Sequence, residues 1–220
     1  MAVGDPSTRR RLETQLLHFD GKNWKKITVD GAGGSGGRTT NIIGGSISMC
    51  VNTSGVKQSL HIFYSDTVEK DLRHATFNGK NFDIETVDGN GLSINNYEDQ
   101  NRVRTSSDVS VSNTCVSFEN SLQVFYRDET QGVLLGALRL NNGPWSYELV
   151  DGDKRTNGRT TGDVGFHLKA INDGFRTYVV YDSVISINQK KQITSGSVRV
   201  ATRTSNEATA WQYQTLDIST

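Results

Sequence analysis

The chain reads as an all-β protein, a β-propeller of four-stranded antiparallel blades, on three observations. Four hairpin segments share one plan, three segments of a second kind lie between them, and the two kinds alternate in phase. No long stretch carries apolar residues at helical spacing, so essentially no helix is expected. Four-stranded units recurring at roughly 55–65 residues are the pattern of a propeller. A β-sandwich can use the same strands, but nothing in it requires the same motifs to recur in phase.

The elements follow in order. After an N-terminal extension (1–15) comes "LLHFDGKNWKKITVDG", Leu16 to Gly31, which matches Leu72 to Gly89, Leu134 to Gly152 and Val198 to Asp217. Each reads as a strand, a turn carrying Asn, Gly or Asp, an aromatic, and a second alternating strand. The other kind is Ser46 to Asp66, Asp108 to Asp128 and Val164 to Ser183, ending in "HIFYSD", "QVFYRD" and "YVVYDS". With the second kind labelled a–b and the first c–d, the chain is cd, abcd, abcd, abcd. That is one repeat domain over 16–220: a hairpin at 16–31 and units at 42–89, 104–152 and 163–217, about three and a half blades. The leftover hairpin predicts a homo-oligomer, because an arc that does not close exposes the apolar flanks of its end blades.

In such a blade, the loops from d to a and from b to c lie on one face. That face collects "VDG" and "RTT", the "YSD" and "YRD" turns, and two long insertions, Asn90 to Val103 and Ser183 to Ser195. Function on rigid scaffolds concentrates on longer loops, so the candidate binding residues are placed here. They are Arg38, Arg104 and Arg159 after the recurring Asp-Gly, Tyr64, Tyr126 and Tyr181 at the ends of strand b, and Asp66, Asp128 and Asp182 beside them. The other reading of the recurring Arg is a clasp, its fork bonding Asp66 or Asp128 and carbonyls at the blade junction. Trp24, Phe82, Trp145 and Trp211 recur after the c–d turn and read as packing between blades.

Composition narrows the classes. Lys+Arg 24 balances Asp+Glu 24, so no net field draws the chain to nucleic acid. No run approaches the ~18 apolar residues of a membrane span. The opening "MAVGDPSTRRRLETQ" has no apolar core of a secretory signal. A secreted or extracellular location requires such a signal to have been removed; the alternative is cytoplasmic. Cys50 and Cys115 occupy similar places in successive units, which are usually too far apart for a disulfide, and read as small buried hydrophobes. His18, His61, His74 and His167 include no pair at metal-binding helical spacing. Asp151 and Asp153 read as solvated turn acids rather than calcium ligands. No nucleophile elbow or P-loop occurs, so no catalysis and no cofactor is expected.

"LHIFYSDTVEKDLRHATFNGKNFDIETVDG", Leu60 to Gly89, resembles the repeats of bacterial and fungal β-propeller proteins and is similar, more loosely, to the fungal fucose-specific lectins. The resemblance covers Leu16 to Asp217. It implies sugar sites between adjacent blades, held by an Arg, a Glu and an aromatic. Arg73 in "DLRHA" matches that Arg and Arg199 repeats it, whereas the second unit carries Leu135. The expected function is therefore a non-catalytic lectin binding glycans, fucosylated ones among them, between blades. The alternative is an adhesion or assembly module working through protein contacts.

Overall fold

The computed structural model describes residues 13–31, 33, 36–52, 58–90, 104–153, 158–161, 163–190, 192–204 and 211–219. Among these the chain is all-β, with fourteen strands and no helix. A hairpin of β1 (Thr14–Phe19) and β2 (Trp24–Asp30) comes first. The first sheet follows: β3 (Ile43–Asn52), β4 (Ser59–Asp66), β5 (Asp71–Phe77) and β6 (Phe82–Asp88). The second holds β7 (Asn113–Phe118), β8 (Ser121–Asp128), β9 (Val133–Leu140) and β10 (Trp145–Asp151). The third holds β11 (Asp163–Asn172), β12 (Arg176–Ile187), β13 (Ile193–Thr204) and β14 (Gln212–Ser219). In each sheet the strands pair antiparallel in chain order. The hairpin boundaries read from the sequence hold to within a few residues.

The core lies between the units. One cluster joins Val29 of the hairpin to Ile62, Tyr64, Ala75 and Phe82. A second joins Phe63, Leu72 and Val87 to Val124, Tyr126 and Leu135. A third joins Phe125, Leu134 and Val150 to Val164, Val179 and Tyr181. Each unit therefore packs on the next in the chain, and both faces of a central strand are covered. This is why β8 (SLQVFYRD) is buried along its whole length and does not alternate, as a strand exposed on one face would. The opening strands β3 and β7, and β7 and β11, lie against each other.

Three expectations are corrected. Cys50 and Cys115 form a disulfide, with Cα atoms 6.0 Å apart. Register explains it: Cys50 opposes His61, the third residue before Tyr64, whereas Cys115 opposes Val124, the second before Tyr126. The two cysteines are one residue out of step. A one-residue step moves a side chain to the other face of a strand, so Cys50 and Cys115 face each other across the junction. Secondly, the segment Ser183 to Ser195 is no loop, because β12 and β13 extend through it to a turn between Asn188 and Gln192. The other insertion, Asn90 to Val103, lies outside the described residues from 91 onward. Thirdly, Phe82 and Trp211 are buried and Trp145 packs on the core between sheets, but Trp24 is exposed.

Candidate functional site

The motif "VDG" builds a repeated junction. Asp30, Asp88 and Asp151 end β2, β6 and β10, and all three are fully buried. The next glycines, Gly31, Gly89 and Gly152, have φ of 106°, 108° and 107°, a region L-residues avoid. A Cβ on Gly89 would also stand 2.8 Å from the Asp71 Cα. This bend lets one carboxylate oxygen accept two backbone N–H groups. Asp30 Oδ1 takes those of Gly31 and Thr39, both at 2.7 Å. Asp88 Oδ1 takes Gly89 (2.9 Å) and Thr105 (2.6 Å), and Asp151 Oδ1 takes Gly152 (2.8 Å) and Thr160 (2.7 Å). The second acceptor bond spans 9, 17 and 9 residues. The carboxylate thus pins the threonine whatever the length of the loop between, which is why the Asp-Gly and Arg-Thr motifs travel together.

The other oxygen reaches the following sheet. Tyr64 Oη donates to Asp30 Oδ2 at 2.9 Å, Tyr126 to Asp88 at 2.6 Å and Tyr181 to Asp151 at 2.5 Å. Arg73 Nε joins Tyr64 on Asp30 at 2.9 Å, while its Nη2 donates to the Gly37 carbonyl at 2.6 Å. Arg199 repeats this on Asp151 (3.1 Å) and Gly158 (2.7 Å). Burial, and then the neighbouring carboxylate, push the Tyr64 and Tyr181 phenols well above their ordinary value. Burial opposes the charge on Arg73 and Arg199, but their carboxylate and tyrosine partners outweigh it and raise both.

The candidate residues therefore divide. Tyr64 and Arg73 meet on Asp30; Tyr126 and Tyr181 occupy the same place at the next two junctions. Asp66 and Asp128 hold their own turns, Asp66 accepting the N–H groups of Val68 and Glu69 and Asp128 that of Gln131. Neither receives the Arg that follows Asp-Gly. Arg159 instead bonds Asp153 (2.9 Å), the Leu149 carbonyl and the Tyr213 hydroxyl. Asp151 is not solvated, as its sequence context suggested, and Asp153 pairs with Arg159. Arg38 is exposed. Arg104 is half-buried beside Asp71. Burial, and then Asp66 opposite it, push the Asp71 carboxyl up to about 7, with Arg104 pulling the other way. Asp182 pairs with His167 at 2.7 Å on the outer flank of the third sheet.

Reading the sequence missed two groups. An aspartate before glycine carries the local signature of a turn; the recurrence of Asp30, Asp88 and Asp151 in phase with a tyrosine of the next unit is the clue the sequence holds. The second is a buried relay in the first sheet. Ser59 Oγ lies 2.8 Å from His61 Nε2, His61 Nδ1 lies 2.9 Å from His74 Nε2, and His74 Nδ1 lies 2.9 Å from Glu85 Oε1. Burial, then the neighbouring His74 and Arg139, bring His61 down to about 4, and burial lowers His74 too. Burial disfavours the Glu85 charge, but His74 and the bidentate Arg139 (2.6 and 2.8 Å) hold it at about 2. A histidine held neutral so far below 7 is a weak base, and this chain serves to satisfy polar groups in a core.

On the end of the molecule carrying the d–a and b–c loops, a pocket of about 350 Å³ opens between the second and third sheets. Arg127, Glu129, Thr130, Gln131, Thr161 and Asp163 line it. Arg127 is buried, bonds the Val164 carbonyl, and lies 2.6 Å from both Glu129 and Asp163. Its guanidinium sits 3.9 Å over the Phe166 ring. The pocket therefore has two half-exposed carboxylates fixed by one buried cation, with hydroxyls and an amide around them. Among the described residues no group of three or more His, Cys, Asp or Glu is placed to hold a metal. No described helix is long and apolar enough to cross a membrane. No protein-family model matches the chain, and no curated protein matches it.

Proposed function

We propose that the hairpin and three sheets are successive blades of a propeller and that the protein is a secreted, non-catalytic lectin. The observation that carries this reading is the polar pocket at the junction of the second and third sheets. Sugar hydroxyls are bound by fixed carboxylates, amides and hydroxyls, and Glu129 and Asp163 are held rigid by Arg127. The disulfide supports secretion, since such bonds persist in oxidising compartments. Arg73, Arg199 and the three tyrosines expected at sugar sites are engaged on Asp30, Asp88 and Asp151, so the pocket at the loop end is the better ligand site. A glycan array with fucosylated and non-fucosylated members tests the proposal. Binding to at least one class is expected, and its loss in Thr161→Arg, which crowds the mouth, locates the site. No binding above background to any glycan would overturn the lectin reading in favour of an assembly module.

A further inference from the structure

The three internal junctions show how each flank of this repeat is covered, and the two outer flanks can be compared with them residue by residue. Asp217 opposes Val198 on β13 just as Asp88 opposes Leu72 on β5. It is the fourth member of the set Asp30, Asp88 and Asp151. Those three are buried, together with the valine before each; Val29, Val87 and Val150 are 0% exposed. On the outer flank Asp217 is exposed, and Leu216 is 54% exposed. Asp217, Val198, Asp182 and Phe166 line a cavity of about 290 Å³ there. In the second sheet the residue after the junction tyrosine is Arg127, sealed by the third sheet; Asp182, after Tyr181, stays half-exposed.

The opposite end shows the complementary half. Phe19 opposes Trp24 with ring centroids 5.2 Å apart, and Phe77 opposes Phe82 at 4.9 Å. Phe82 packs on the hairpin and is 8% exposed, whereas Trp24 is 69% exposed. Leu17 stands where the first sheet has the buried Ala75, and it too is exposed. After the same register shift, Gln15 holds the place of Arg73. One flank thus presents an uncovered acceptor and an apolar recess, and the other the counterparts of the residues that meet the preceding unit within the chain.

We propose that these flanks bind each other between copies, head to tail. The third sheet of one chain receives the β1–β2 hairpin of a second. The Gln15 amide donates to Asp217 beside Leu216, while Phe19 and Trp24 lie over Gln214, the place where Arg139 and Trp145 meet Glu85 and Arg203 and Trp211 meet Glu148. Leu17, Phe19 and Trp24 are exposed on one flank and Leu216 on the other, and exposed apolar side chains favour such cover. The contact is heterologous, so it builds rings or filaments rather than a self-complementary pair. A single neutral amide replaces the Tyr and Arg that serve Asp30 and Asp151, so the contact is weaker than an internal junction and depends on concentration.

Light scattering across a concentration series, with circular dichroism to confirm folding, tests this. The wild type is expected to exceed the 24.2 kDa of one chain. Trp24→Asp and Leu216→Asp each disable one flank at an exposed position, and each alone should run as a single chain. Mixed in equal amounts, they keep one intact pair of flanks and should give two chains and nothing larger. A wild type that stays at one chain mass to its solubility limit would overturn the proposal. So would a multimeric wild type whose two variants fail to combine when mixed.

Discussion

The junction between the first and second sheets and that between the second and third are built on the same acceptor, yet they are secured differently. Asp88 and Asp151 each pin a glycine, a threonine and the next sheet's tyrosine. At the later junction Arg199 adds its fork to Asp151; at the earlier one Leu135 stands in that place and joins the apolar cluster. The earlier junction has the Cys50–Cys115 disulfide instead. Beneath both, an Arg–Trp pair grips a glutamate of the preceding sheet: Arg139 over Trp145 on Glu85, and Arg203 over Trp211 on Glu148. Behind Glu85 stand His74 and then His61; at the later junction Gln123 holds the place of His61 and accepts directly from Arg203. The shared part is what the backbone bend requires, and the rest varies because several chemistries can close the same gap between sheets.

The largest expected effect breaks the later junction. Asp151→Ala removes the acceptor of four donors and strands the Arg199 charge with the Tyr181 hydroxyl in a buried site. Losing one partner of a buried ion pair costs about 3–5 kcal/mol, so urea denaturation should show a loss of that size or failure to fold. Asp151→Asn, which keeps one carbonyl acceptor, should lose less; equal loss would assign the cost to shape rather than charge.

Reduction isolates the earlier junction. The disulfide joins residues 65 apart in sequence, and opening such a link costs about 2–4 kcal/mol. Reducing agent should therefore lower the melting temperature of the wild type and leave Cys50→Ala/Cys115→Ala unaffected. An unchanged wild type would mean that the apolar cluster alone secures this junction.

The smallest effect separates the two junctions by pH. His61 falls from an ordinary 6.5 to about 4 in the fold, so the unfolded chain takes up its proton first. Its contribution is complete above about 6.5 and is lost as pH falls toward 4. Asp71, raised to about 7, has the opposite sign, its contribution being lost as pH rises from about 4 through 7. Asp71→Asn should steepen the loss of stability on acidification. His61→Gln, which copies Gln123, should flatten it. Urea midpoints across this range check both, and a flat wild-type profile with a flat Asp71→Asn profile would remove the histidine relay from the account.

The strands were legible from sequence because short-range rules govern them. Alternation, Asn-Gly-Asp turns and an aromatic after each turn mark a hairpin wherever it lies, and the recurrence of "VDG" and "FY" set the units in phase. Only packing decided what those motifs are for. A carboxylate reads as a surface turn until the next sheet brings a tyrosine onto it, as Tyr181 is brought to Asp151 over 30 residues. Cys50 and Cys115 read as equivalent because both sit near the middle of an opening strand. Their sides are set by a pairing register that counts back from the tyrosine, and one residue of offset turned two parallel positions into facing ones. Trp24 carries the same local signal as Trp145 and Trp211, yet its exposure depends on whether another unit lies against it. Strands and turns follow from local periodicity and are readable in the chain; which side chains share a junction follows from packing, because burial and hydrogen bonding between units depend on neighbours far away in the chain.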